Sequence, residues 1–285
     1  MNKINKIQNQ FNSHIQPTWC PGCGNFAIFT ALKQALAELK IKAYQAVIVT
    51  DVGCSGNMAD FLKTYTFHAL HGRALPPAAG IKLANHNLPV IVIIGDGGCY
   101  GEGLTHFINL MRGNHQITVL VHDNYLYSLT TGQYSPTTPK GTVTKSTPEG
   151  SIEEPLNPLS LALANQATFA ARGYALKTIH LTKLIKQAIN HPGFSLIDIL
   201  QPCLTFNKNQ TVENWYQKKV YKLKKPFTKI SQALEESLKT DKLAIGKFWQ
   251  EKKPPYHQAI GFLKKPLVEK EISNINIKKL IEEFI

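Results

Sequence analysis

Arginine and long apolar runs are both scarce in this 285-residue chain. Only three of its 32 basic residues are arginine, the usual side chain for bidentate contacts with bases and phosphates. The net charge of +13 fits an acidic protein partner as well as it fits nucleic acid. Because arginine is so scarce, we expect no nucleic-acid partner. The longest apolar run, residues 88–94, is too short to span a bilayer. The polar first ten residues lack the apolar core of a signal peptide, so we expect a cytoplasmic protein.

Cysteine is also scarce, and the five cysteines make an odd number. Structural disulfides are not expected in such a chain, whereas metal, cluster or redox chemistry is. Cys20 and Cys23 form a Cys-Pro-Gly-Cys motif, and Cys54 and Cys203 each follow a predicted strand. Four thiolates hold either an iron–sulfur cluster or zinc. This spacing favours the cluster only modestly, and it leaves open that Cys54 and Cys203 are simply buried.

Apolar strands alternate with amphipathic helical patterns over the first 210 residues. This order predicts an α/β fold with a mostly parallel sheet and helices on both faces. We divide the chain into a domain of residues 1–210 and an irregular, Lys-rich C-terminal extension, 211–285, with weak helices near 230–239 and 276–284. A loop without periodicity covers 135–158 and is long enough to be functional. The predicted strands are 46–50, 89–94, 117–121, 175–179 and 195–200, and the predicted helices are 25–40, 75–85, 103–111, 160–172 and 181–190.

Two polar motifs follow neighbouring strands of this predicted sheet. Gly95-Asp96-Gly97-Gly98 comes directly after the strongest strand, and Asn124 lies 28 residues after Asp96, behind the next strand. Ligands of open α/β sheets bind at the carboxyl ends of the strands. Glycine permits close approach to phosphate, and carboxylate and carbonyl oxygens suit Mg²⁺. Each motif alone is compatible with an ordinary turn, but together they predict a cation that bridges a diphosphate.

A third motif, His71-Gly72-Arg73, precedes a predicted helix with Pro76 and Pro77 in its first turn. Proline is tolerated at that position, and the N-terminus of a helix is suited to anions. The alternative is that the histidine only packs in the interior.

Together these motifs resemble the β subunit of 2-oxoacid:ferredoxin oxidoreductases, and the Gly-Asp-Gly motif with its downstream Asn resembles the thiamine-diphosphate-binding signature. The resemblance runs from about Pro17 to Asn207, and more weakly through 245–256. It implies CoA-dependent oxidative decarboxylation of a 2-oxoacid, 2-oxoglutarate or pyruvate, with electrons passing through one 4Fe–4S cluster to ferredoxin or flavodoxin. The His-Gly-Arg form favours the branch that acts on 2-oxoglutarate or a broad set of 2-oxoacids. The distinctive segments are 20–24, 53–56, 67–73, 95–103 and 122–137.

The resemblance also implies roles for individual residues. This chain departs from other members at three places. Some members have lysine at the position of Thr131, and others have a charged residue at the position of Asn57. Many members have a second acid after the Gly-Asp-Gly motif, where this chain has Gly98 and Cys99. The implied cluster ligands are Cys20, Cys23, Cys54 and Cys203. The implied Mg²⁺ ligands are Asp96, Asn124 and the carbonyl of Leu126, and the implied diphosphate contacts are Gly95, Gly97, Ser55 and His71. The resemblance also implies that Leu129 and Thr131 approach the substrate.

In the family that the chain resembles, a separate α chain supplies the glutamate that activates the cofactor. We therefore expect no catalytic residue in this chain, since Glu102 lies on the diphosphate side, and a heterodimer or α2β2 assembly. Two alternatives stay open: a non-oxidative thiamine-diphosphate decarboxylase or lyase, and a zinc-stabilised nucleic-acid-binding protein.

Overall fold

A computed structural model describes residues 10–207, 213–273 and 275–285 of the chain. Within these ranges, no helix is long and apolar enough to cross a membrane. The strands are β1 (Val47–Thr50), β2 (Tyr65–His68), β3 (Val90–Gly95), β4 (Thr118–Asp123), β5 (Leu126–Tyr127), β6 (Gln133–Tyr134), β7 (Phe169–Tyr174), β8 (Ser195–Leu200), β9 (Val220–Lys222) and β10 (Leu243–Gln250).

The helices mostly follow the strands in alternation. A π-helical turn, Gly97–Glu102, lies between β3 and the next helix. The α-helices are α1 (Gly24–Glu38), α2 (Met58–Phe61), α3 (Leu75–Ala84), α4 (Leu104–Arg112), α5 (Pro158–Ala164), α6 (Thr178–Ile189), α7 (Glu213–Lys219), α8 (Ile230–Ser237), α9 (Tyr256–Ala259) and α10 (Ile277–Glu282).

Eight strands form the main sheet in the order β2-β1-β3-β4-β8-β7-β10-β9. The first six run parallel, and β10 pairs antiparallel with β7. Alternate residues of the central strands enter two separate hydrophobic clusters: Ile91 and Ile93 lie on the face of α1 and α6, whereas Val90 and Val92 lie on the face of α3, α4 and α5. Both faces are therefore covered, which explains the continuous apolar strands and confirms the predicted fold class.

Two predicted elements, the helix 160–172 and the strand 175–179, are wrong. The helix ends at Ala164, β7 occupies Phe169–Tyr174, and α6 begins at Thr178. Gln166 has a positive φ of 61°, which breaks the helix. The alanine-rich segment after it is extended because it pairs with β8 on one side and with β10 on the other, so tertiary pairing outweighs its helix propensity.

The C-terminal part is more regular than the sequence predicted. β10 and β9 extend the main sheet, and the expected helices occur as α8 and α10. The predicted boundary between residues 210 and 211 lies outside the described residues. The expected long loop is present, since no helix or strand lies between β6 and α5, and the Asn157 side chain caps α5 by accepting from the Ser160 N–H at 3.0 Å.

Asn114 ties the C-terminal segment to the sheet. Its Oδ1 accepts from the Phe194 N–H at 2.9 Å and from the Thr168 hydroxyl at 2.7 Å, and its Nδ2 donates to the carbonyls of Lys253 and Pro254. These partners come from three separate segments, so one buried amide joins them.

We expect Asn114→Ala to lower the free energy of unfolding by about 1–3 kcal/mol, because buried backbone groups lose their partner. Urea denaturation followed by circular dichroism measures the change. Asn109→Ala, on the exposed side of α4, is the matched control and should leave the urea midpoint nearly unchanged. Equal midpoints for the two variants would contradict this role for Asn114.

Candidate functional site

Three neighbouring parallel strands, β1, β3 and β4, end at one edge of the sheet, and the loops after them line one cleft. Ligands of open α/β sheets bind at such an edge, outside the carboxyl ends of the strands. Thr131 lies outside the lining, next to Thr130 at the rim. All eight residues that the sequence predicted for cofactor binding line this cleft: Ser55, His71, Gly95, Asp96, Gly97, Asn124, Leu126 and Leu129.

Asp96 is a buried carboxylate whose neighbours are hydroxyl groups. Its Oδ2 accepts from Ser135 Oγ at 2.5 Å and from Thr137 Oγ1 at 2.7 Å. Burial raises the pKa of Asp96 to about 6, although the two hydroxyls lower it. None of the ion pairs among the described residues includes Asp96. A buried anion without a cationic partner is costly, and a divalent cation in the cleft would offset this cost.

Asn124 holds the loop after β4 in a tight turn. Its Oδ1 accepts from the Leu126 N–H at 3.1 Å and from Ser128 Oγ at 3.0 Å. Tyr125, between them, has a positive φ of 65°, a conformation that occurs often at functional sites. The turn places the Asn124 amide and the backbone of Leu126 in the wall of the same cleft as Asp96.

His71 is fixed by an aspartate that the sequence analysis did not single out. Asp51, fully buried directly after β1, accepts from the Gly72 N–H at 3.0 Å and lies 3.0 Å from Nδ1 of His71. This hydrogen bond raises the pKa of His71 against the effect of burial. The imidazole therefore enters the cleft in a fixed orientation. The signal that could have identified Asp51 is its position after a strand that neighbours β3.

The glycines after Asp96 make room for close contacts. A Cβ added to Gly97 would lie 2.1 Å from Cε1 of Tyr127, and one added to Gly98 would lie 2.0 Å from Oδ2 of Asp51. Any larger residue at either position would force these elements apart. The cleft wall is therefore bare backbone at the place where the sequence predicts a diphosphate.

The four predicted cluster cysteines, Cys20, Cys23, Cys54 and Cys203, line a second cavity. The backbone bond from Gly24 N to the Pro202 carbonyl, 3.2 Å long, joins the two segments that carry three of them. This cavity shares a wall with the cleft, because the same four residues line both: Cys54, Asn124, Ser128 and Leu129.

The cysteine cavity presents four thiols, the donor type that both iron–sulfur clusters and zinc use. Burial raises the pKa of Cys54 to about 12, and the neighbouring thiols add to this effect. Burial also raises the pKa of Cys23 to about 11. These thiols would become thiolates only beside a positive centre. Across the described ranges, no three His, Cys, Asp or Glu side chains converge on one ion site. In a 4Fe–4S cluster each thiolate binds its own iron, so the sulfurs surround a cavity.

Comparison with known proteins decides the family. Residues 51–199 match the family "Thiamine pyrophosphate enzyme, C-terminal TPP binding domain", and residues 203–265 match the family of the C-terminal part of the pyruvate ferredoxin oxidoreductase beta subunit. The 2-oxoacid:ferredoxin oxidoreductase subunit beta of Sulfolobus sp is 46% identical over 259 residues, which cover 85% of each chain. The chain belongs to this family of β subunits.

Other β-subunit relatives include 2-oxoglutarate enzymes. The 2-oxoglutarate oxidoreductase subunit KorB of Mycobacterium tuberculosis is 43% identical over 197 residues, 69% of this chain and 53% of that protein. A solved structure, the 2-oxoglutarate:ferredoxin oxidoreductase from Magnetococcus marinus with 2-oxoglutarate, coenzyme A and succinyl-CoA bound, has a TM-score of 0.89 at 33% identity. The match covers 97% of this chain and 95% of that chain. The resemblance seen in the sequence is confirmed.

Membership in the β-subunit family also bears on the two alternatives. The oxidoreductase matches span most of the chain, and the cysteines line one cavity beside the cleft. Both observations favour an oxidative enzyme over a non-oxidative thiamine enzyme and over a zinc-stabilised nucleic-acid-binding protein.

Replacing any of Cys20, Cys23, Cys54 or Cys203 by serine should lower bound iron and abolish reduction of the electron acceptor, because the cluster loses a thiolate. Iron analysis and electron paramagnetic resonance of anaerobically purified protein measure both effects. Cys99→Ser is the matched control, since Cys99 is fully buried in the hydrophobic core. Full iron content in Cys203→Ser would remove Cys203 from the ligand set.

Asp96→Asn should weaken Mg²⁺-dependent binding of thiamine diphosphate at least about 100-fold, and Thr137→Val about 10-fold. Asp96→Asn removes the anionic ligand itself, whereas Thr137→Val removes only a residue that orients it, for which a loss of about 10–100-fold is typical. Titration calorimetry on the assembled enzyme measures the affinities, with exposed Asp60→Asn as the control. Unchanged affinity in Asp96→Asn would contradict the assignment of this carboxylate to the metal.

Proposed function

We propose that this β subunit binds thiamine diphosphate with Mg²⁺ in the cleft and one 4Fe–4S cluster in the cysteine cavity. Together with an α subunit, it would catalyse CoA-dependent oxidative decarboxylation of a 2-oxoacid, 2-oxoglutarate or pyruvate, with ferredoxin or flavodoxin as electron acceptor. The observation that carries the proposal is the wall shared by the cleft and the cavity. An oxidative enzyme needs its two cofactors side by side.

In this proposal Asp96, Asn124 and the carbonyl of Leu126 hold the metal ion. When bound, thiamine diphosphate supplies the nucleophilic carbon that attacks the keto group, and the cluster accepts electrons singly. This chain's own side chains bind and orient the cofactor. Asp51 accepts from Nδ1 of His71 at 3.0 Å and raises the pKa of the ring, so the protonated imidazole would donate its Nε2–H toward a diphosphate oxygen.

Ser135 and Thr137 are positioning residues for Asp96. Both hydroxyls donate to the same oxygen, Oδ2, and thereby fix the direction in which the other oxygen points. Thr137 Oγ1 also lies 2.8 Å from Asp123 Oδ1. The hydroxyl pair therefore joins the loop after β6 to the carboxyl ends of β3 and β4.

The cluster ligands lie close to the surface. Cys20 is exposed, whereas Cys203 is buried. Leu204, which is 46% exposed, comes directly after Cys203. An electron could leave a cluster held here without passing through the core, and the basic chain would attract an acidic carrier protein.

The five free thiols suit a reducing compartment, in agreement with the expected cytoplasmic location.

The active site is incomplete without the α subunit. Asp96 is the only acid among the residues that line the cleft, and Glu102 contacts the Tyr127 hydroxyl on the diphosphate side. Proton transfer at the other end of the cofactor needs a carboxyl from elsewhere. Beside the cleft, the edge strand β2 exposes Tyr65 and Phe67, and Leu70 is 78% exposed, which is typical of a protein interface.

The isolated chain should show negligible 2-oxoacid oxidation, and activity should appear when the α subunit is added. Reduction of a viologen dye with 2-oxoglutarate and coenzyme A measures this. Turnover of roughly 1 s⁻¹ or more by the isolated chain would contradict the two-chain active site. A complex assembled with Asp96→Asn is the control for dye reduction that does not depend on thiamine diphosphate.

A further inference from the structure

The long loop after β6 contains an ordered arm, residues 141–151. Its two sides are joined by the Ser151 N–H, which donates to the Thr142 carbonyl at 3.0 Å. At the tip, Thr144 and Thr147 each donate a backbone N–H to the other's carbonyl, at 3.2 and 3.3 Å. Lys145 lies in this two-residue turn, so its backbone position is fixed.

The tip of the arm rests on the rim of the cofactor cleft. The Tyr134 N–H donates to Ser146 Oγ at 3.3 Å, and Lys145 Nζ donates to Thr131 Oγ1 at 2.8 Å. Thr131 comes directly after Thr130, which lines the cleft. The arm therefore places an ammonium group at the cleft entrance from a segment distant from the cleft loops.

Thr131 is held in an uncommon backbone conformation. Its φ is +80°, which is rare for a β-branched residue. Its N–H donates to the Ser128 carbonyl at 3.1 Å, and the Gly132 N–H donates to the Tyr127 carbonyl at 3.0 Å. These bonds fix the direction of the threonine hydroxyl that receives Lys145. Strained residues over-determined in this way cluster at ligand sites.

The charge of Lys145 is not compensated. None of the ion pairs among the described residues includes Lys145. By contrast, Lys140, directly before the arm, lies 2.5 Å from the Glu154 carboxylate. An ammonium group donates three hydrogen bonds, and within the described part of the chain only that to Thr131 is made. Lys145 is exposed, so its remaining N–H groups face solvent and are available to an anion that approaches the cleft.

We propose that Lys145, positioned by Thr131, forms an anion subsite at the cleft entrance that binds the distal carboxylate of a 2-oxodicarboxylic acid. The inference rests on the proposed function and deepens it, because it assigns a residue of this chain that selects a 2-oxodicarboxylic acid over a 2-oxoacid without a distal carboxylate. The phosphates of coenzyme A share the chemistry of this carboxylate, so the experiment has to separate the two.

The test compares Lys145→Met, Lys145→Arg and Lys140→Met in the assembled α–β enzyme. Loss of a charge-assisted hydrogen bond should raise the 2-oxoglutarate KM about tenfold in Lys145→Met, with kcat unchanged. The KM values for coenzyme A and for 2-oxobutyrate, which has no distal carboxylate, should stay the same. Inhibition by glutarate, which cannot react, should weaken by the same factor as an independent measure of binding.

Lys145→Arg should retain most of the selectivity, and Lys140→Met should match the wild type because its charge is already paired. A rise confined to the KM for coenzyme A would overturn the carboxylate assignment in favour of a phosphate. Unchanged KM values and unchanged glutarate inhibition in Lys145→Met would overturn the subsite altogether. A wild-type complex that oxidises no 2-oxoacid would refute the proposed function instead.

Discussion

The parallel alignment of β1, β3, β4 and β8 is the constraint on which the site depends. Thr50 pairs with Ile93, Gly95 with His122, and Asp123 with Leu200. The loops that follow these strands therefore begin side by side, although they lie far apart in sequence. Hydrogen bonding between the strands therefore sets the spacing of the Gly95–Gly98 motif, the Asn124 turn, Cys54 and Cys203.

The polar groups beneath the cleft add an electrostatic constraint. Burial raises the pKa values of Asp96, Asp123 and Asp198 above their usual range. Asp198 is stabilised by Arg172 at 3.5 Å and by the Tyr100 hydroxyl at 3.1 Å. Three buried carboxylates in one region are expensive. The fold tolerates them because hydroxyls and one guanidinium share the charge, and a bound divalent cation would lower the remaining cost.

The sequence could predict the parts of the fold that rest on local pattern. The apolar runs of β3, β4 and β8 are buried on both faces, so they could be recognised without tertiary information. β7 could not, because Ala170, Ala171 and Arg172 have no strand pattern and are extended only through pairing with distant partners. The cleft residues that directly follow these strands were predictable as well, because the strands themselves could be recognised from their apolar runs.

The contacts of the Ser135 and Thr137 hydroxyls with Asp96, and that of Lys145 with Thr131, were not predictable. They reach the site from a loop without periodicity, and only the folded path of that loop brings them to Asp96 and Thr131. Contacts between side chains of an irregular loop and a distant strand have no fixed residue spacing that a single sequence could reveal.

The edge strand β2 has a consequence for how the chain must be produced. Its four residues are exposed, and its outer side presents backbone groups that another strand could pair with. A chain produced without a partner that covers this edge keeps it exposed in solution, where copies of the chain can pair through it. Production together with such a partner would remove this route to association, independently of any chemistry in the cleft.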